Sequence, residues 1–153
     1  MSFYLQQEFD FIDRTKAIIK QYDSLEPDDK KFEVTLFINC LFGLLILPQQ
    51  HWFNMLPEEL LNTEKWGIDE GDIIFIKSGE EKNVKNIARH LRNSISHYRI
   101  KVFNNTSNEI KSMKFEDFDP KNIKTFEATF NILQMRKFVD SFTLCLVEQM
   151  KDN

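Results

Sequence analysis

The chain has 153 residues, a formal net charge of −4, 42% hydrophobic residues and 29% charged residues, the proportions of an ordinary globular protein. Four Gly and four Pro are too few for an all-β chain with many tight turns. The length predicts a single domain, 1–153, able to bury about two thirds or more of its unfolded surface.

In chain order, residues 3–25 read as a helix, with Leu5, Phe9, Ile12 and Ile19 in one row and Phe11, Ile18, Tyr22 and Leu25 beside it. Pro27 breaks it. A second helix is predicted from Asp29 to Leu47, ended by Pro48; it is apolar on most sides late on and so central. Its most apolar run, residues 36–47, is shorter than the roughly 20 residues a bilayer span needs. The opening MSFYLQQEFDF lacks the basic-then-apolar layout of a signal peptide. A cytoplasmic chain without a membrane partner is expected. Asn39, inside the apolar run, reads as a hydrogen-bonded core residue, with a supporting contact to the motif-bearing third helix as the alternative. Cys40 and Cys145 sit in apolar surroundings with no C-x-x-C pair, so they read as buried free thiols.

A short helix is expected in LPEELL after Pro57, then a loop over 63–81 with an extended piece at DIIFIK. A third long helix is predicted over 81–98. The segment RIKVFNNTSNEIKSMKF alternates around NNTSN and suggests a short β-hairpin. Asp119-Pro120 offers a helix start. The last helix is predicted from Pro120 to Met150, its stripe beginning with Ile123, Phe126, Phe130 and Leu133 and rotating to Met135, Phe138, Val139, Phe142 and Leu146. The expected fold is all-α, a bundle of four to five helices with a small loop or β-hairpin appendage after the third long helix.

That helix carries the chemistry. On a wheel, Val84, Ile87, Ala88, Leu91, Ile95 and Tyr98 form a core arc. Lys85, Arg89, Arg92, Ser96 and Arg99 form a flanking cationic row. Asn86, His90, Asn93 and His97 form a third row. From Lys82 to Lys101 there are six Lys or Arg and no acid. Such a patch suits a polyanion, or else is a solvated face turned to acidic loops such as 69–72. His90 and His97 share a row, but no acid joins them and His51 lies in another segment, so no metal site is expected. Trp52 and Trp66 flank loops and are expected mostly in the core, with base stacking the alternative.

Arg92-Asn93-Ser94-Ile95-Ser96-His97 matches the R-x(4–6)-H motif of the HEPN superfamily. The whole chain resembles the small single-domain HEPN nucleases of bacteria and their mobile elements, including the apolar FGLLILPQQ and the hairpin-like segment after the motif. The resemblance implies metal-independent RNA cleavage without a cofactor, by a homodimer whose two motif helices meet in one cleft. It also implies a toxin or phage-defence role and an antitoxin or regulatory protein as partner. Five positions on a straight helix is about 140°, so Arg92 and His97 do not stack on one line. Either the long Arg reaches around, or two copies pool their residues. HEPN toxins silenced by an AMP-adding antitoxin carry a Tyr two positions after the motif His. Here Tyr98 is one position after, so a tyrosine-modifying partner is not implied.

Cleavage of RNA without metal requires a base for the ribose 2′-hydroxyl, charge stabilisation on the phosphorane and a proton for the leaving 5′-oxygen. His97 suits the proton transfers. Arg92 suits the developing phosphorane charge. Asn93 and Ser96 are expected to support them, and Lys85, Arg89, Arg99 and Lys101 to hold RNA phosphates. The expected upstream product is a 2′,3′-cyclic phosphate. The alternative is a non-catalytic dimeric HEPN-type module that binds RNA or a protein. A helical DNA-binding regulator fits less well, because the chain is acidic and lacks a clear helix-turn-helix pair.

Overall fold

The computed structural model describes residues 7–24, 33–46, 52–106 and 110–151. The breaks expected at Pro27 and Pro48, and His51, lie outside these residues. The first two helices form where periodicity places them: α1 is Gln7–Asp23 and α2 is Glu33–Ile46. Ile12, Ile38, Leu41, Leu44 and Leu45 are buried between them and the rest of the core. The two helices close up at Gly43, where an added Cβ would sit 3.0 Å from Phe11 Cζ. Asn39 is not a core residue; it lies on the exposed side of α2. Cys40 and Cys145 are free but only half-buried.

A 3₁₀ turn, Phe53–Met55, follows. LPEELL is not helical: Leu60 instead makes an isolated β-bridge with Asn83. A one-turn helix α3, Thr63–Trp66, comes next, capped by Asn62, whose side chain accepts from Lys65 N. Trp66 is fully buried and donates Nε1–H to Glu59 Oε1 at 2.8 Å, a core anchor and not an exposed stacking surface. Trp52 is half-buried against the same core. The extended piece in DIIFIK is strand β1, Ile73–Ile76. The motif helix α4 is Val84–Ser96, started by Asn83, whose side chain accepts from Asn86 N at 2.9 Å.

The chain is not all-α. After α4 come β2, Ile100–Asn104, β3, Ile110–Phe118, and β4, Lys124–Asn131, and only then α5, Ile132–Lys151. The four strands form one antiparallel sheet in the order β1-β4-β3-β2. The expected hairpin is real, as β2 paired with β3, but it is half of a sheet and not an appendage. The segment 120–131, expected as the first third of a long helix, is mostly strand.

The reason lies in Phe126 and Phe130. Residues four apart satisfy both a helical period and a strand period of two. Ile123 and Leu133, which completed the helical stripe, are 60% and 76% exposed. Phe126, Ala128 and Phe130 point inward together and are fully buried, as do Met113, Phe115 and Asp117 of β3. Each buried Phe contributes about 1.5–3 kcal/mol relative to exposure. The period-two arrangement therefore buries more than the helical one. On the outer face Glu116 lies opposite Glu127, and Lys114 and Lys124 bracket them in a four-charge ladder. The inner face is covered by α4 and α5, and α2 packs on both of those helices; α5 buries Met135, Phe138, Val139, Phe142, Thr143 and Leu146.

Candidate functional site

Helix α4 is buried on more than its apolar arc. Val84, Ile87, Ala88 and Leu91 are fully buried, as expected, but so are His90 and Ser94. The middle of the Asn/His row turns away from water and packs against β3 and β4, and only its end, His97, is exposed. His90, 2% exposed, stacks on Phe126 with ring centroids 4.7 Å apart and planes 1° from parallel. Its Nδ1 lies 2.8 Å from Asp117 Oδ2 and its Nε2 2.8 Å from Glu80 Oε2. Each ring nitrogen is thus within hydrogen-bonding distance of a carboxylate oxygen, and Nε2 also lies 3.4 Å from Arg89 Nη2.

Asp117 is 4% exposed. Its Oδ2 also accepts from Asn93 Nδ2 at 3.0 Å, and its Oδ1 from Phe118 N at 2.9 Å. Burial pushes the Asp117 carboxyl up, but the hydrogen bonds from His90, Asn93 and the Phe118 amide together hold it below the usual carboxylate range. Asn93 is thereby oriented: its amide nitrogen is held by Asp117 and its Oδ1 accepts from Arg92 Nη2 at 3.5 Å. A line of polar contacts thus runs from the sheet interior to the motif arginine.

The cations of 82–101 are mostly matched within the protomer. Lys82 Nζ donates to the Glu70 carbonyl at 2.7 Å. Lys85 pairs with Glu58 and Arg89 with Glu80, each at 2.8 Å. Arg99 lies 3.7 Å from Asp117 Oδ1 and over the Phe118 ring. A solvent-open cleft of about 460 Å³ beside the N-terminal half of α4 is lined by Glu58 and Glu80 as well as Lys85 and Arg89. Glu81 lines it too, so its acids outnumber its cations by three to two, and neither Arg92 nor His97 lines it.

Arg92 is different. It has no carboxylate partner among the described residues. Its guanidinium lies 5.6 Å from the centre of the Phe53 ring, which Lys85 shares at 5.7 Å. His97 is the C-cap residue of α4, exposed, with its ring bonded to none of the described residues. No hydrogen bond joins Arg92 to His97 within the protomer. Ser96 and Lys101 are exposed. The structure therefore brings Asn93 to Arg92, leaves His97 and Ser96 open at the helix end, and ties Lys85, Arg89 and Arg99 to acids. Among the described residues no cluster of three His, Cys, Asp or Glu side chains could hold a metal ion, and no helix is long and apolar enough to cross a membrane.

The sequence reading missed Glu80 and Asp117. The usable signal for Asp117 was its place in MKFEDF, in step with Met113 and Phe115 on the buried face of a strand. An acid at such a position needs partners.

The family model described as HEPN pEK499 p136 matches residues 1–153. The chain belongs to this HEPN family. No curated protein and no solved structure matches it. In this HEPN chain, the motif arginine lies in the last two turns of α4 and the histidine caps its end, and the His90–Asp117–Asn93 network joins that helix to the sheet behind it.

Proposed function

We propose that this HEPN chain is a metal-independent endoribonuclease acting as a homodimer. The observation that carries the reading is the exception along α4. Lys85 and Arg89 are neutralised by Glu58 and Glu80, whereas among the described residues Arg92 has no matching acid and the His97 ring no bond. A half-buried guanidinium without an acid is suited to phosphate. The two groups do not meet within one protomer, which supports a cleft completed by a second copy. There Arg92 stabilises the charge on the phosphorane, and His97 takes the 2′-hydroxyl proton. The 2′-oxygen bonds to phosphorus and the 5′-oxygen leaves with a proton from the partner copy's imidazole. The products are a 2′,3′-cyclic phosphate and a free 5′-hydroxyl.

The test is incubation of the protein with end-labelled RNA in excess EDTA, with Arg92→Ala and His97→Ala in parallel. Cleavage abolished by both variants, with an unchanged melting temperature for the exposed His97→Ala, is the expected result. RNA left intact by the parent protein, or cut equally by His97→Ala, refutes the reading. The neutralised cations favour a second reading, a non-catalytic dimeric module that binds RNA or a partner protein. Expression in bacteria separates the two: growth arrest relieved by His97→Ala belongs to the nuclease and not to the module.

A further inference from the structure

The last turn of α4 closes in an unusual way. Tyr98 N–H donates to Ile95 O at 3.1 Å and Arg99 N–H to Ser94 O at 2.7 Å, with His97 as the cap residue. These are the two bonds of a Schellman motif. The motif requires a left-handed residue directly after the cap, a place filled by Gly in most helices and sometimes by Asn, because a Cβ is disfavoured there. Here the residue is Tyr98, with φ 53°. The sequence pattern put Tyr98 on the core arc. In the structure it is 90% exposed, the most exposed large hydrophobic residue among the described residues. Its ring stacks on no other ring and its hydroxyl bonds to none of the described residues. The protein thus places a bulky aromatic in a backbone conformation that opposes it, and no hydrogen bond or ring contact among the described residues compensates. Strain of this kind persists where function requires the side chain.

The surroundings define the function. The tyrosine is bonded in sequence to His97, follows exposed Ser96, and comes six residues after Arg92, which has no carboxylate partner among the described residues; Lys101, three residues on, is exposed. A ligand seated there presents both negative charge and flat faces. Single-stranded nucleic acid does so, and bases stack on exposed aromatic rings with little regard for sequence. We propose that Tyr98 is the stacking platform for a nucleobase flanking the phosphodiester held by Arg92 and His97. This rests on the ribonuclease reading and adds to it the way the strand is seated.

The test uses the full chain carrying His97→Ala, so that RNA is bound but not cut, with a fluorescent single-stranded oligoribonucleotide of mixed sequence. Adding Tyr98→Gly is expected to raise the melting temperature, because the strained Cβ is removed. The same change is expected to weaken RNA binding by about 5- to 150-fold, the factor carried by one stacked base. Tyr98→Phe restores binding to within about twofold, since the ring and not the hydroxyl does the stacking. Unchanged affinity in Tyr98→Gly overturns the proposal and leaves the ribonuclease reading standing. A Tyr98→Gly protein that melts lower, or sediments as a monomer where its parent is a dimer, assigns the ring to subunit packing and also overturns it. If the His97→Ala parent binds no RNA at all, the ribonuclease reading falls with it.

Discussion

Asp117→Ala is the most informative single change to the network behind the motif helix. It removes the acceptor of three hydrogen bonds, from His90 Nδ1, Asn93 Nδ2 and the Phe118 amide. The side chains of His90 and Asp117 are only 3% and 6% exposed, so solvent cannot replace what is lost. Removing the carboxylate from a buried, hydrogen-bonded network of this kind costs about 3–5 kcal/mol. For a chain of this length each kcal/mol shifts the melting temperature by roughly 2–4 °C, so a fall of about 6–20 °C is expected. Urea unfolding at pH 7, with the denaturant slope unchanged, measures the free energy directly. The pH dependence adds a second reading. The folded-state pKa of Asp117 is depressed below an unfolded value of about 3.9. Its contribution is therefore present above that value and lost as the pH falls through the folded pKa. The gap between parent and variant should narrow on acidification. A loss under about 1 kcal/mol at pH 7 would show that the network does not hold α4 to the sheet. A gap that stays constant into acid would show that charge is not its basis.

The outer-face ladder gives a weaker, salt-sensitive effect. Hydrogen bonds from Lys124 to Glu116, and from Lys114 and Lys124 to Glu127, lower both carboxyl pKa values, and the same bonds raise those of the lysines. The carboxylate share is present above about pH 4.3 and fades as the pH falls through the folded values; the lysine share is full below about pH 10.4 and fades as the pH rises through the folded values. Lys124→Met should lower stability by up to about 1 kcal/mol at low salt, and a deficit in melting temperature that does not shrink in 1 M NaCl would contradict an electrostatic origin. Gly67 and Gly79 provide a matched pair. Both have positive φ, 74° and 87°, but an added Cβ at Gly67 would lie 2.5 Å from Lys137 Cβ, whereas nothing lies within 4 Å at Gly79. Ala at Gly79 should cost only the backbone term, about 1 kcal/mol; Ala at Gly67 should cost clearly more, and equal melting temperatures would refute the close approach.

The helices were legible because their apolar spacing matched one period only. Met135, Phe138, Val139, Phe142 and Leu146 could belong to nothing else, and Val84, Ile87, Ala88 and Leu91 likewise. The sheet was hidden because Phe126 and Phe130 fit two periods, and the choice is made by partners in β3 that local pattern cannot show. Arg92 and His97 could be picked out from the motif, but their surroundings could not. Glu58 and Glu80 lie outside the helix they neutralise, and Asp117 reaches His90 across 27 positions of sequence. Tyr98 was misplaced for a simpler reason: the helical wheel was carried one turn position too far, past a cap that ends at His97.

Phe53 lies outside the motif helix, yet its ring is the floor under two of that helix's cations. One of them, Lys85, has Glu58 to complete its shell; the other, Arg92, does not. Folding therefore seats a guanidinium on a greasy surface and strips part of its hydration before any ligand arrives. On the ribonuclease reading, the phosphate would meet a cation already partly dehydrated, held at an address set by a 3₁₀ turn almost forty residues upstream.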